Sequence, residues 1–138
     1  MMSLMQRAVL ALSLVLAAWS PGAQSEAKEK MIQRAQLEEM FAGMRAKAPW
    51  DVDGPLLWGY FFNGPDRAAL ESIGQKLEAS GYRRVALRQH PDGVWSLHVE
   101  KVEIHSVDSL DKRNAEFYAL AREAGSVMYD GMDVGPAH

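Results

Sequence analysis

The side chains able to do chemistry in this chain are few and widely spaced. His98 and Glu100 stand two residues apart on a segment that reads as a strand, with His105 five residues further on. On a strand the first two share a face, but two ligands on one strand do not close a metal site, which needs three or four converging donors. Asp51-Val52-Asp53-Gly54 opens like a calcium loop, yet the later oxygen ligands are replaced by Trp58, Tyr60 and Phe62, so it reads as a turn. Met40 and Met44 are one helical turn apart and could attract copper, but Leu37 and Phe41 share their stripe, which points to core packing. There is no cysteine, which removes thiolate nucleophiles, disulfides and a lipid-bearing cysteine. No serine, histidine and acid are spaced as a nucleophile with its base, and no glycine-rich phosphate loop is present. Catalysis, metal and cofactor are not expected; binding is.

The elements that must position these residues begin after a leader. Arg7 precedes an apolar run from Ala8 to Trp19, broken only by Ser13. As a helix it would be about 18 Å long, short of the roughly 30 Å of a hydrocarbon core. Pro21 and Gly22 then break it, and Ala23, Ser25 and Ala27 allow cleavage, so residues 1–25 read as a signal peptide for a periplasmic or secreted protein, with an uncleaved anchor as the alternative. The 138-residue chain has a formal charge of -3. Loss of Arg7 makes it more acidic, which disfavours binding to nucleic acid.

Residues 26–48 are rich in helix formers and carry a stripe of Leu37, Met40, Phe41 and Met44. Pro49 to Pro55 form a linker. Leu56 to Phe62 has no charge and reads as the centre of a sheet. Asp66 caps a helix that runs to Ser80, with Leu70, Ile73 and Leu77 inward. Tyr82 to His90 alternates, placing Val85 and Leu87 on one side and Arg84, Ala86 and Arg88 on the other. After a turn at Pro91-Asp92-Gly93, the strand from Val94 to Ile104 turns Trp95, Leu97 and Val99 inward. Val102 and Ile104 fall on the other parity, which predicts a bulge near Glu100-Lys101. Ser106 or Asp108 caps a helix carrying Leu110, Phe117, Leu120, Ala121 and Ala124, Gly125 ends it, and a last strand covers residues 127–134. This order is βαββαβ: an α+β, ferredoxin-like domain over 56–134, with a four-stranded antiparallel sheet, two helices on one face and an extra helix in front. Right-handed crossovers put the first and third strands in the middle.

With that order in place, Asp111-Lys112-Arg113-Asn114-Ala115-Glu116-Phe117, Leu120-Ala121, Gly125 and Tyr129-Asp130-Gly131 resemble the end of the regulator of ribonuclease E activity B family. The Trp58-Gly59-Tyr60-Phe61-Phe62 strand and the Gly81-Tyr82 entry fit the same domain. The resemblance implies a ferredoxin-like fold and a non-catalytic protein that binds and inhibits an RNA-degrading endonuclease in the cytoplasm. Two features depart from it: Met132 stands where the family often has tryptophan, and the leader directs the chain out of the cytoplasm. The expected function is therefore an exported protein-binding module with a different protein partner, and with no nucleic acid and no stable membrane anchor. The expected contact surface is the open sheet face with Arg84, Arg88, Ser96, His98 and Glu100, joined by Tyr129, Asp130, Gly131 and Met132. The second reading is a small-ligand or metal protein using His98, Glu100 and His105. An RNA-recognition domain shares the element order but needs exposed aromatics and a basic third strand, where this chain has an inward Trp95 and an outward Glu100.

Overall fold

The computed structural model describes residues 31–137. Its elements are α1 (Arg34–Lys47), β1 (Leu56–Gly64), α2 (Arg67–Ala79), β2 (Arg83–Gln89), β3 (Trp95–Glu103), α3 (Val107–Ala124) and β4 (Met128–Pro136). The sheet order is β2-β3-β1-β4 with every neighbouring pair antiparallel, so β1 and β3 are central. This is the expected ferredoxin-like arrangement with a helix in front.

Local chemistry sets the boundaries. Within the described residues the helix expected over residues 26–48 runs from Arg34: Gln33 is extended, and its N–H donates to Gln36 Oε1 at 2.6 Å. Just before it, the Ile32 N–H donates to the Tyr118 hydroxyl at 2.9 Å, tying the entry of α1 to α3. Residues 26–30, like the expected signal peptide, lie outside the described residues. Asp66 Oδ1 accepts from the Ala68 N–H, and Ser106 Oγ from the Ser109 N–H, as N-caps do. Gly125 closes α3 at φ +87°, where a β-carbon would be strained. The calcium-like Asp51-Val52-Asp53-Gly54 is a turn, with the Asp53 N–H donating to Asp51 Oδ1 at 3.0 Å.

All three helices lie on one face. The inward positions of β1 are Leu56, Trp58, Tyr60 and Phe62, all buried. Phe41 of α1 stacks on Trp58, and Phe117 of α3 meets Tyr60 edge-on at 5.1 Å. Leu70, Ile73 and Leu77 of α2 join the same core as Leu97 and Val99 of β3. The stripe of α1 is buried at Leu37, Phe41 and Met44, so the helix is docked on its own domain as an integral part of the core.

The strand phases differ from expectation in β3, β2 and β4. β3 pairs with β1 without interruption from Trp95 opposite Gly64 to Glu103 opposite Leu56, so there is no bulge at Glu100-Lys101. Instead β2 is bulged between Arg84 and Ala86, and β4 between Tyr129 and Gly131. Val102 and Ile104 thus keep the parity of the uncovered face and are exposed. The alternating inward positions are taken by Lys101 and Glu103, because both find partners under the helices: Lys101 Nζ sits 4.8 Å from the centre of the Tyr82 ring, and Glu103 joins a polar network.

Candidate functional site

On the face of the sheet away from the helices, the strand register lays out four rows across β2, β3, β1 and β4. They read Arg88, Ser96, Asn63, Met128; then Ala86, His98, Phe61, Gly131; then Arg83, Glu100, Gly59, Asp133; and last, on three strands only, Val102, Leu57, Gly135. Among the described residues no helix covers these rows. The second row holds a stacked pair, the His98 ring 4.2 Å from Phe61 and nearly parallel to it. In the third row Gly59 is a steric requirement. A β-carbon there would meet His98 Nε2 at 2.8 Å and would press still harder on Asp133 Oδ1, so the imidazole and the carboxylate converge above the bare backbone. Glu100, buried, binds the exposed Arg83 guanidinium from the neighbouring strand. Glycine inside an otherwise bulky strand was the sequence signal for this close approach; Asp133 gave none, because the bulge before it shifts its face.

Of the expected contact residues, Arg88, Ser96, His98 and Glu100 lie on this face. Arg84 does not. The β2 bulge turns it toward α2, where Nη1 donates to Glu71 Oε1 at 2.8 Å and Nη2 to Glu78 Oε1 at 3.2 Å over Gly74. Tyr129 and Met132 also face the helices and are buried, so neither can touch a partner docked on the opposite side. Asp130 and Gly131 form the β4 bulge, with Gly131 at φ +103°. Burial raises the Asp130 carboxyl, and a hydrogen bond from Asn63 opposes that rise. The Tyr129-Asp130-Gly131 motif is thus a fold device, and its partner in α3 is Asn114, whose Oδ1 accepts from the Tyr129 hydroxyl at 2.7 Å with both residues buried. Tyr129→Phe should therefore leave Asn114 Oδ1 short of a donor and lower stability by about 1–3 kcal/mol. Chemical denaturation of the two proteins measures it, with Asn114→Leu in the Phe variant expected to recover part of the loss.

His105 does not join His98 and Glu100. It lies on the helix side, with Nδ1 2.8 Å from Ser109 Oγ, Nε2 2.9 Å from the Tyr60 hydroxyl and its ring edge-on to Trp58. The Tyr60 hydroxyl in turn donates to Glu103 Oε2 at 2.7 Å, and Arg113 Nη1 donates to that same oxygen at 2.8 Å. Burial would push the Glu103 carboxyl up, but hydrogen bonds from His105, Arg113 and Tyr60 hold it down at about 2. This network clamps the start of α3 to the sheet. Sequence reasoning missed it because each member is an isolated polar residue in the chain. Among the described residues no three His, Asp or Glu side chains converge in a way that could hold a metal ion, and no helix is long and apolar enough to cross a membrane.

The arrangement offers an uncovered sheet face with a stacked ring pair and charged rows, on a scaffold whose motif residues hold α3 and β4 together. No curated protein sequence matches the chain. The family profile for regulator of ribonuclease activity B matches residues 34–134, from the start of α1 into β4, including Asp111 to Phe117 of α3 and Tyr129-Asp130-Gly131. That match covers most of the chain and agrees with the fold element by element, so the protein belongs to the regulator of ribonuclease activity B family.

Proposed function

We propose that this chain is an exported, non-catalytic regulator that works by occupying a protein partner with the uncovered face of its sheet, and that this partner is not the cytoplasmic endonuclease of its family. The family supplies the protein-binding, ribonuclease-regulating class. The observation that carries the surface is the placement of all three described helices on one side of the sheet, which leaves Val102, Ile104 and Met128 exposed on the other. Exposed apolar side chains beside arginines have the composition of a contact surface. Export rests on the Arg7, Ala8 to Trp19 and Pro21-Gly22 pattern.

Fusing residues 1–30 to a reporter that folds only outside the cytoplasm tests the export half. Activity of that fusion, lost on Leu14→Arg in the apolar run, is the expected result. A silent fusion makes inhibition of the ribonuclease in the cytoplasm the function, a reading that the family match favours on its own.

A further inference from the structure

The two halves of the uncovered face differ in what they present. On β3 and just beyond it stand Val102 and Ile104, two of the four large apolar side chains exposed among the described residues. Between and beside them are the guanidinium of Arg83, 71% exposed, and Arg88, also exposed. The acid among the uncovered-face positions of these two strands, Glu100, is buried beneath Arg83, while Lys101 and Glu103 point to the helices. Glu100 offsets Arg83, so the strip is apolar with a net positive charge carried by Arg88 opposite Ser96, and small Ala86 and Ser96 leave room between. Its length, from Arg88 opposite Ser96 to Ile104, is eight strand steps, or about 26 Å.

We infer that this strip docks an extended acidic segment of a protein partner, about eight to ten residues long, whose carboxylates pair with Arg83 and Arg88 and whose branched apolar side chains rest on Val102 and Ile104. The inference rests on the proposed use of this face as a contact surface and adds the chemistry of what it takes. The net positive charge of the strip, with Arg88 opposite Ser96 and the Arg83 guanidinium 71% exposed above Glu100, gives an acidic segment charge complementarity and repels a basic one. The apolar residues give it area that a nucleic-acid backbone would not use; Trp95 of β3 faces the helices, in contact with Arg67, and the Phe61 and His98 rings of the uncovered face are stacked on each other.

Fluorescence anisotropy of the full chain with four labelled probes tests this: ten-residue peptides alternating leucine with glutamate, leucine with lysine, or serine with glutamate, and a ten-nucleotide uridine strand. The leucine-glutamate peptide should bind at least about tenfold more tightly than the other three. Arg83→Glu with Arg88→Glu should weaken it about tenfold or more, as should Val102→Glu with Ile104→Glu, while Met128→Glu on β4 should not; circular dichroism and the melting midpoint confirm that each variant folds. Equal binding of the lysine peptide, tighter binding of the uridine strand, or indifference to the arginine reversals overturns the strip. Sensitivity to Met128→Glu alone would also overturn it, while leaving the uncovered face as the contact surface. Probes that show no preference sink the strip, while export stands or falls separately on the reporter fusion.

Discussion

Arg113→Met is expected to destabilise the fold by about 3 kcal/mol, most of it recovered when Glu103→Leu is added. The Arg113 side chain is 21% exposed and that of Glu103 13%, so water screens their 2.8 Å contact only partly. The guanidinium also lies within about 6 Å of the centres of three rings, Tyr60, Tyr82 and Phe117, filling the space between α3 and the sheet. Methionine keeps much of that volume but leaves the carboxylate with only Tyr60 and His105. Removing one partner of a buried ion pair commonly costs 3–5 kcal/mol, and the residual exposure here places the effect at the lower end. The same change alters acid sensitivity. The folded Glu103 carboxyl titrates at about 2 against an ordinary value of 4.5, so its contribution is complete above about pH 4.5 and is lost as pH falls toward 2. Urea unfolding at pH 3, 4, 5 and 7 should show the wild-type protein losing stability across that window and Arg113→Met losing less. Parallel pH curves for the two proteins would mean that the guanidinium is not what holds the carboxyl down.

That network shows where the sequence is readable and where it is not. The βαββαβ order follows from turn residues and from apolar runs that need only be inward or outward, and the central position of β1 follows from its lack of charge. Helix caps at Asp66, Ser106 and Gly125 are local chemistry and stand where their residue types demand. Strand phase beyond Val99 was not readable, since it turns on whether Lys101 and Glu103 can be satisfied indoors. Their partners, Tyr82, Tyr60 and Arg113, are 19, 43 and 10 residues away. A bulge in β3 would have rescued the apolar pattern; the fold accepts outward Val102 and Ile104 instead and spends its bulges at Val85 and Asp130. The β2 bulge also moved Arg84 from the expected contact surface to the α2 interface, because one extra residue reverses which face every preceding side chain meets. On the uncovered face, His98 and Glu100 were legible from strand alternation, while Gly59 and Asp133 required the register of three strands at once.

Trp58→Ala should have the largest effect of any single truncation in the sheet, about 4 kcal/mol, lowering the melting midpoint of a domain this size by roughly 15–25 °C. Trp58 is fully buried in the middle of β1, between Lys101 on one side and Val134 on the other. Its ring is covered by Phe41 of α1 at 6.1 Å and meets the His105 ring edge-on at 5.0 Å, so it is the side chain through which the leading helix and the α3 clamp share one core. If α1 were an accessory helix, Phe41→Ala would melt it locally and add independently to the loss at Trp58. The contact predicts otherwise: with Phe41 removed, Trp58 has already lost its cover, and the double variant should be less damaged than the two singles together by about 1–2 kcal/mol. A single cooperative transition in every variant, seen alike by far-ultraviolet circular dichroism and by tryptophan fluorescence, should accompany that coupling. Additive losses with an early separate transition would instead put α1 outside the cooperative unit. The boundary of the folding domain would then lie at Leu56 rather than ahead of Arg34, and the family-matched region would contain a helix that the sheet does not need.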